Sequence, residues 1–325
     1  MASVSPPSDA DRLAVLLVVV LAALAVALGV RAGWKEVDVD ELVYRRTLVS
    51  MQHGDGYYRA MRTALERKEG APPTQVRSVR PPTLFLLLSR LPSASWRWVV
   101  GVVYLGTLVC AWRIGRPLHP WGGPLAVGIA GIWLLGAAPL LFLHSELWGI
   151  PLALGGALAF RNKRWVLAAV LLGLAVTLRE TYAVFLLAGL LWAERRRPFL
   201  VVIGALAVAT VVHVHFAQEA LSSHGREPGF GASGLGLKYV LSSLSPSDQP
   251  LGWVVGVIGD AAGLVAVWRL RMRDGAALLV LTTAAVLIPA TIFLGRQYWG
   301  LTFGPALAAF APGVLPLPTS RSGDA

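Results

Sequence analysis

Four carboxylates, Glu36, Asp38, Asp40 and Glu41, fall within six positions of "WKEVDVDELVYRR" (34–46), in a chain of 325 residues that has only 18 acids. A positioned carboxylate can take the proton from a hydroxyl that attacks an electrophile. Further along stand His144-Ser-Glu146, Arg179-Glu180 and Arg296-Gln-Tyr298, each at the edge of an apolar run. Arginine presents a planar fork of donors that matches phosphate. Rim carboxylates with rim arginines are the parts for transfer to a hydroxyl with departure of a phosphate. Asp38-x-Asp40 also has the form of a metal pair, but no third ligand accompanies it. The expectation is therefore no cofactor, with a divalent metal as the alternative. His213-x-His215 is a weak metal pair, because i and i+2 do not share a helix face.

The elements that must hold these residues are apolar helices. The chain is 55% apolar and 14% charged, where a soluble domain carries about 25% charged residues. Its apolar residues come in blocks flanked by Arg clusters, the pattern of transmembrane helices. The net charge of +11 then reflects loop arginines and anionic headgroups rather than nucleic acid. One cysteine excludes an intrachain disulfide. No zinc pattern, Walker loop or Rossmann fingerprint is present, and the glycine-rich "GFGASGLGLK" follows no strand.

The first run, Leu13–Val30, reads as an anchored helix in preference to a signal peptide. Later runs lie near 83–112, 121–143, 146–160, 165–178, 182–193, 199–217, 251–268, 276–294 and 300–316. The expectation is one all-α domain of about ten spans with both termini on one side. Alternate short loops carry Arg113 and Arg116; Arg161, Lys163 and Arg164; Arg195–Arg197; and Arg269, Arg271 and Arg273. That set is cytoplasmic by the positive-inside rule. The loop 31–82 carries ten Lys/Arg yet is external by parity, as long loops permit. Segments 1–12 and 317–325 read as disordered cytoplasmic tails, and 218–250 as a second external loop.

Within 31–82, Asp38 followed by Glu41 matches a capping box, predicting a helix from about Val39 to Met51. Tyr57, Met61, Ala64 and Leu65 fall on one face of a second, basic amphipathic helix, expected to lie in the membrane interface. The unusual polar residues all fall on the external side: Asp38, Asp40, Glu41, Asp55, His144, Glu146, Arg179, Glu180, Arg296 and Tyr298. Each has a plain reading too. Asp38 serves as an N-cap, Glu36 and Glu41 as solvated acids, and Arg179 with Glu180 as a local pair. Asp260 lies deeper in a span, as a packing residue or a relay. Tyr44, Tyr57, Trp148, Tyr182 and Trp299 read as an interface belt.

These residues resemble the motifs of the GT-C superfamily of polyprenyl-phosphate-dependent integral-membrane glycosyltransferases. "DELVY" (40–44) is similar to the Asp-Glu-x-x-Tyr of several branches, and "HGDGYY" (53–58) to a Gly-x-x-Tyr element. "RPPTLFLLLSRLP" (80–92) resembles a Pro-Pro segment entering the second span, and "LLGLAVTLRETYAVFLL" (171–187) an Arg-Glu-Thr turn. The resemblance implies a GT-C-like fold and an inverting transfer of sugar from a polyprenyl-phosphate donor to a glycan, lipid or protein acceptor. It carries the general base onto Asp40, with Asp38 second and Asp55 less securely matched. Arg179 and Arg296 are then the phosphate contacts. His144, Glu146, Glu180, Tyr44 and Tyr298 are the expected substrate contacts. The chain is short for that family and has no appended external domain. Its Ala-, Leu-, Arg- and Gly-rich composition suits a bacterial inner membrane with a periplasmic active face. The alternative is a transporter or flippase of a lipid or small amphiphile, which needs polar residues near the midplane.

Overall fold

The computed structural model describes residues 8–31, 39–66, 79–141, 143–221, 250–294 and 300–316, and among them every regular element is a helix. In chain order these are α1 (Asp9–Arg31), α2 (Val39–Gln52), α3 (Tyr57–Glu66), α4 (Thr83–Leu88), α5 (Trp96–Gly115), α6 (Gly122–Leu141) and α7 (Ser145–Arg161). They continue with α8 (Trp165–Leu178), α9 (Ala183–Trp192), α10 (Arg197–Leu221), α11 (Pro250–Leu270), α12 (Gly275–Leu294) and α13 (Gly300–Phe310). Nine of the ten apolar runs each coincide with one helix, α1 or one of α6–α13, and the run 83–112 holds two, α4 and α5.

Several boundaries differ from expectation. The run 83–112 is not one helix: after α4 the chain turns through extended Pro92 and a short 3-10 segment, Ser93–Ser95, before α5 begins. Proline lacks the N–H a continuing helix needs and disfavours helix in the residue before it. The N-terminal tail is shorter than residues 1–12, because α1 starts at Asp9. Ser8 caps it, its Oγ accepting from the Asp11 N–H at 3.2 Å. Of the stretch 218–250 expected as an external loop, 218–221 belong to α10 and Pro250 starts α11, and 222–249 lie outside the described residues. The C-terminal tail from 317, the glycine-rich stretch and the capping box at Asp38 lie outside the described residues.

The helices run alternately up and down, and ion pairs gather the predicted basic loops at one end. Arg116, after α5, pairs with Asp11 of α1 at 2.9 Å. Arg161, ending α7, reaches Asp274 ahead of α12 at 2.6 Å and donates to the Ile114 carbonyl of α5. Lys163 meets Glu194, after α9, at 2.7 Å. At the opposite end Tyr182 donates to the Glu146 carbonyl, and the Thr181 and Thr302 hydroxyls lie 3.0 Å apart. The central element is α13, which packs on α5, α6, α7, α11 and α12 and is buried at every residue from Thr302 to Pro312. Close backbone approach there needs glycine: a Cβ on Gly263 of α11 would overlap the Leu307 backbone of α13.

The periphery is apolar. Among the described residues two helices are long and apolar enough to cross a bilayer, Ser93–Gly115 and Arg197–Ala220. Only 6% of the second one's apolar window is buried, and Val201, Val208 and Val211 are each about two-thirds exposed. The interior, by contrast, holds His144, Glu146, Arg179 and Asp260. Monomeric soluble proteins rarely expose large contiguous apolar faces.

The first loop follows its predicted helices but not their expected surroundings. The apolar face of α3, Tyr57, Ala60, Met61 and Ala64, is buried in protein rather than turned to a lipid interface. Met61 Sδ accepts from Thr47 of α2, and Tyr57 packs on Phe85 of α4. The loop thus forms a cap of α2, α3 and α4 over the end of the bundle away from the arginine loops.

Candidate functional site

The site follows from unequal helix lengths. At 1.5 Å per residue, the 14-residue α8 rises about 21 Å and the 25-residue α10 about 37 Å. The two start together at the basic end and pack side by side, so α8 stops roughly 16 Å short. At its end Arg179 is extended (φ −151°, ψ 124°), and a 3-10 turn, Glu180–Tyr182, leads into α9. The Arg179–Glu180 turn therefore lies in a recess below the tip of α10. The neighbouring α7 starts at the same height, with Gly149 so close under Tyr182 that a Cβ there would overlap the ring.

Six charged and aromatic groups line this recess, buried at Glu146, His144, Arg179 and Tyr44 and open at Glu180. Glu146, in the first turn of α7, sits at the positive end of that helix. Its carboxylate lies 2.8 Å from Arg179 Nε and 4.0 Å from His144 Nδ1. Arg179 Nη1 is 3.4 Å from Glu180, whose same oxygen is 3.5 Å from Arg80 Nη1. Arg80 Nε donates to the Tyr44 hydroxyl at 2.9 Å, and the Tyr44 ring stands edge-on to His144. The side chains of Glu146 and Arg179 are at most 5% exposed, that of Arg80 is 20% and that of Glu180 is 56%, so the cluster opens at Arg80 and Glu180. Although Arg179 is in charge contact with both carboxylates, neither its Nε–H nor its Nη1–H is aligned on an acceptor. A buried cation with unaligned donors is the kind of group an incoming anion satisfies.

Arg80 is the residue that motif reasoning passed over. It was counted among the ten cations of a long loop, whereas it is the cation that directly precedes Pro81-Pro82 and α4. Tyr57 fixes its backbone by donating to its carbonyl at 2.5 Å. Burial works against its charge, yet Tyr44, Glu146 and Glu180 around it hold the guanidinium pKa above its ordinary value. Burial, with Tyr44 and Tyr58 nearby, pushes the Tyr57 hydroxyl well up, so it stays a donor. Leu86 and Leu87 of α4, the helix that follows Arg80 and Pro81-Pro82, are exposed.

The other expected residues are distributed as follows. Tyr44, His144, Glu146, Arg179 and Glu180 meet in the cluster. Asp40 is a first-turn residue of α2, and helix register sets it one turn, roughly 5–6 Å, before Tyr44. Asp38, Arg296 and Tyr298 lie outside the described residues. Asp55 has local partners instead: it accepts from Ser50 Oγ at 2.5 Å and lies 3.7 Å from Arg59. Tyr44, Tyr57, Trp148 and Tyr182 are all at most 5% exposed, which rules out an aromatic belt made of them. Trp299 is outside the described residues. His213 and His215 do not pair: His213 meets Tyr58 at 2.9 Å and the Val79 carbonyl, and His215 meets Glu219. Among the described residues no three His, Cys, Asp or Glu converge. Asp260 is buried between α6 and α13, beside Trp133 and Gly304.

Comparison with protein-family models, with curated proteins and with solved structures finds no match to this chain.

Proposed function

We propose that the chain is a ten-span membrane enzyme that transfers a sugar from a polyprenyl-phosphate donor to an acceptor hydroxyl in this recess. The observation that carries the reading is the chain Glu146–Arg179–Glu180–Arg80–Tyr44, buried at both ends and open in the middle at Glu180 and Arg80, at the end of the bundle away from the arginine loops. The resemblance of the DELVY and Arg-Glu-Thr motifs to the GT-C superfamily supports it. So does the apolar periphery, which a bilayer would cover. By the positive-inside rule the recess faces the periplasm.

In this reading Asp40 takes the acceptor's proton as its oxygen bonds to the anomeric carbon. The bond from that carbon to the phosphate oxygen breaks, and the lipid phosphate leaves with the electron pair. The centre is oxocarbenium-like, as in glycoside hydrolysis, and inverts. Arg80 and Arg179 take up the phosphate charge. Glu180, held loosely between the two guanidiniums, occupies the position of an anion and yields it to the donor phosphate. Glu146 stays with Arg179 and fixes its height. Leu86 and Leu87 border the prenyl chain. His144 and Tyr44 meet sugar or acceptor hydroxyls. The test is transfer from radiolabelled polyprenyl-phosphate sugars by purified protein. Arg80→Ala is expected to lower kcat/KM by about 10²-fold, the size of one lost contact to developing charge. Unchanged transfer by that variant would remove Arg80 from the phosphate site.

A further inference from the structure

The opposite end of the bundle holds a second feature that the reaction does not use. Between the α7–α8 and α9–α10 turns lies an open groove of about 800 Å³, lined by Lys163, Arg164, Arg195, Arg196 and Arg197 against a single acid, Glu194. Glu194 is engaged by Lys163 at 2.7 Å, so the groove keeps a strong positive excess. Among the described residues Arg164, Arg195 and Arg197 make no ion pair. The N-termini of α8 and α10 both open here, and neither has an acid in its first turn. Both add partial positive charge and free N–H groups.

Charge alone would suit any anion. The wall of the groove narrows the choice. Val166 is 66% exposed and Val170 43%, and Leu174 continues the same line at 47%. These three stand at i, i+4 and i+8 of α8, an apolar track that leads from the cations along the bundle towards its middle. Leu167 widens it beside them. A cationic mouth over an apolar track complements a phosphate headgroup joined to hydrocarbon chains.

We propose that this groove binds one anionic glycerophospholipid, its headgroup phosphate among Arg164, Arg195 and Arg197 and its acyl chains along Val166, Val170 and Leu174. The assignment rests on the membrane reading but not on the transfer reaction. Basic pockets between helices on the cytoplasmic side recognise headgroups in this way.

The test is native mass spectrometry of delipidated protein titrated with phosphatidylglycerol or phosphatidylcholine, with vesicle flotation alongside. Wild type is expected to retain one phosphatidylglycerol at least about tenfold more tightly than phosphatidylcholine. Arg164→Ser with Arg195→Ser is expected to weaken it about 30-fold, or about fivefold per cation. Val166→Asn with Val170→Asn, which leaves every cation in place, is expected to weaken both lipids. Excess inorganic phosphate is expected to leave the lipid bound. Equal retention of the two lipids, unchanged affinity in the arginine variant or displacement by inorganic phosphate overturns the proposal. If the protein floats with vesicles but shows no selectivity, only this proposal fails. If it does not float at all, the membrane reading fails with it. All four substituted positions carry exposed side chains, and circular dichroism of the variants checks that they fold.

Discussion

Removing the Glu146 carboxylate is the perturbation that probes the recess most sharply. Glu146 and Arg179 have side chains 3% and 5% exposed and stand 2.8 Å apart. Glu146→Ala leaves the guanidinium buried, with only Glu180, 3.4 Å away and half in solvent, to compensate it. Breaking a buried pair from one side costs about 3–5 kcal/mol, and the remaining carboxylate sets the expectation at about 3 kcal/mol. Glu146→Gln keeps the shape and an acceptor but loses the charge, for about 1.5–3 kcal/mol. The Tyr182 hydrogen bond goes to the Glu146 backbone carbonyl and survives either change. Arg179→Met strands the carboxylate in turn, whereas Glu146→Ala with Arg179→Met removes both charges together. The double variant is expected to recover most of the loss, with a coupling of about 2–3 kcal/mol. The assay is a double-mutant cycle by reversible unfolding in mixed micelles. If Glu146→Ala costs under about 0.5 kcal/mol, or the two single losses simply add, the pair does not organise the recess.

Other outcomes follow from the same contacts. Glu180→Gln removes the carboxylate that competes for the two arginines, so the KM for the lipid-phosphate donor is expected to fall; a rise would assign Glu180 to substrate binding. Gly149→Val drives a side chain into Tyr182 and is expected to abolish folding or activity, whereas Gly128→Ala, with open space around it, is expected to be silent in the same expression and activity assays. Val208→Arg, two-thirds exposed on α10, places a charge in the bilayer and is expected to cost about 2.5–3.5 kcal/mol of insertion, read as lost membrane fraction. In a Cys110→Ala background, cysteine at Glu180 is expected to react with an impermeant maleimide from the periplasm and cysteine at Arg116 only after lysis. The reverse pattern would invert the topology.

Much of the scaffold was legible because each piece is local. The two first-loop helices follow from the Asp38–Glu41 capping pattern and from the spacing of Tyr57, Met61 and Ala64, and the arginine loops indicate which helix ends belong together. Surroundings were less legible. The apolar face of α3 reads the same whether lipid or protein covers it, and only the cap formed with α2 and α4 decides. Buried Tyr44, Trp148 and Tyr182 were expected partly at an interface for the same reason: composition does not say what a ring touches. Glu146 and Arg179 are 33 positions apart, and the contact depends on α7 and α8 packing antiparallel, so that the start of one helix meets the end of the other. Arg80 opens the RPPTLFLLLSRLP motif, yet that motif assigns it no role and it otherwise counts only among the loop's ten cations.

The central claim concerns chemistry at Asp40, one turn along α2 from the Tyr44 that contacts Arg80. The most direct measurement is single-turnover transfer of radiolabelled sugar from polyprenyl phosphate by purified wild type and by Asp40→Asn, with donor binding measured in parallel. The account predicts transfer by wild type and a loss of about 10²–10⁴-fold in the variant, the contribution of a general base, with donor affinity retained. Transfer that survives Asp40→Asn, or wild type that binds the donor and never turns it over, would contradict it.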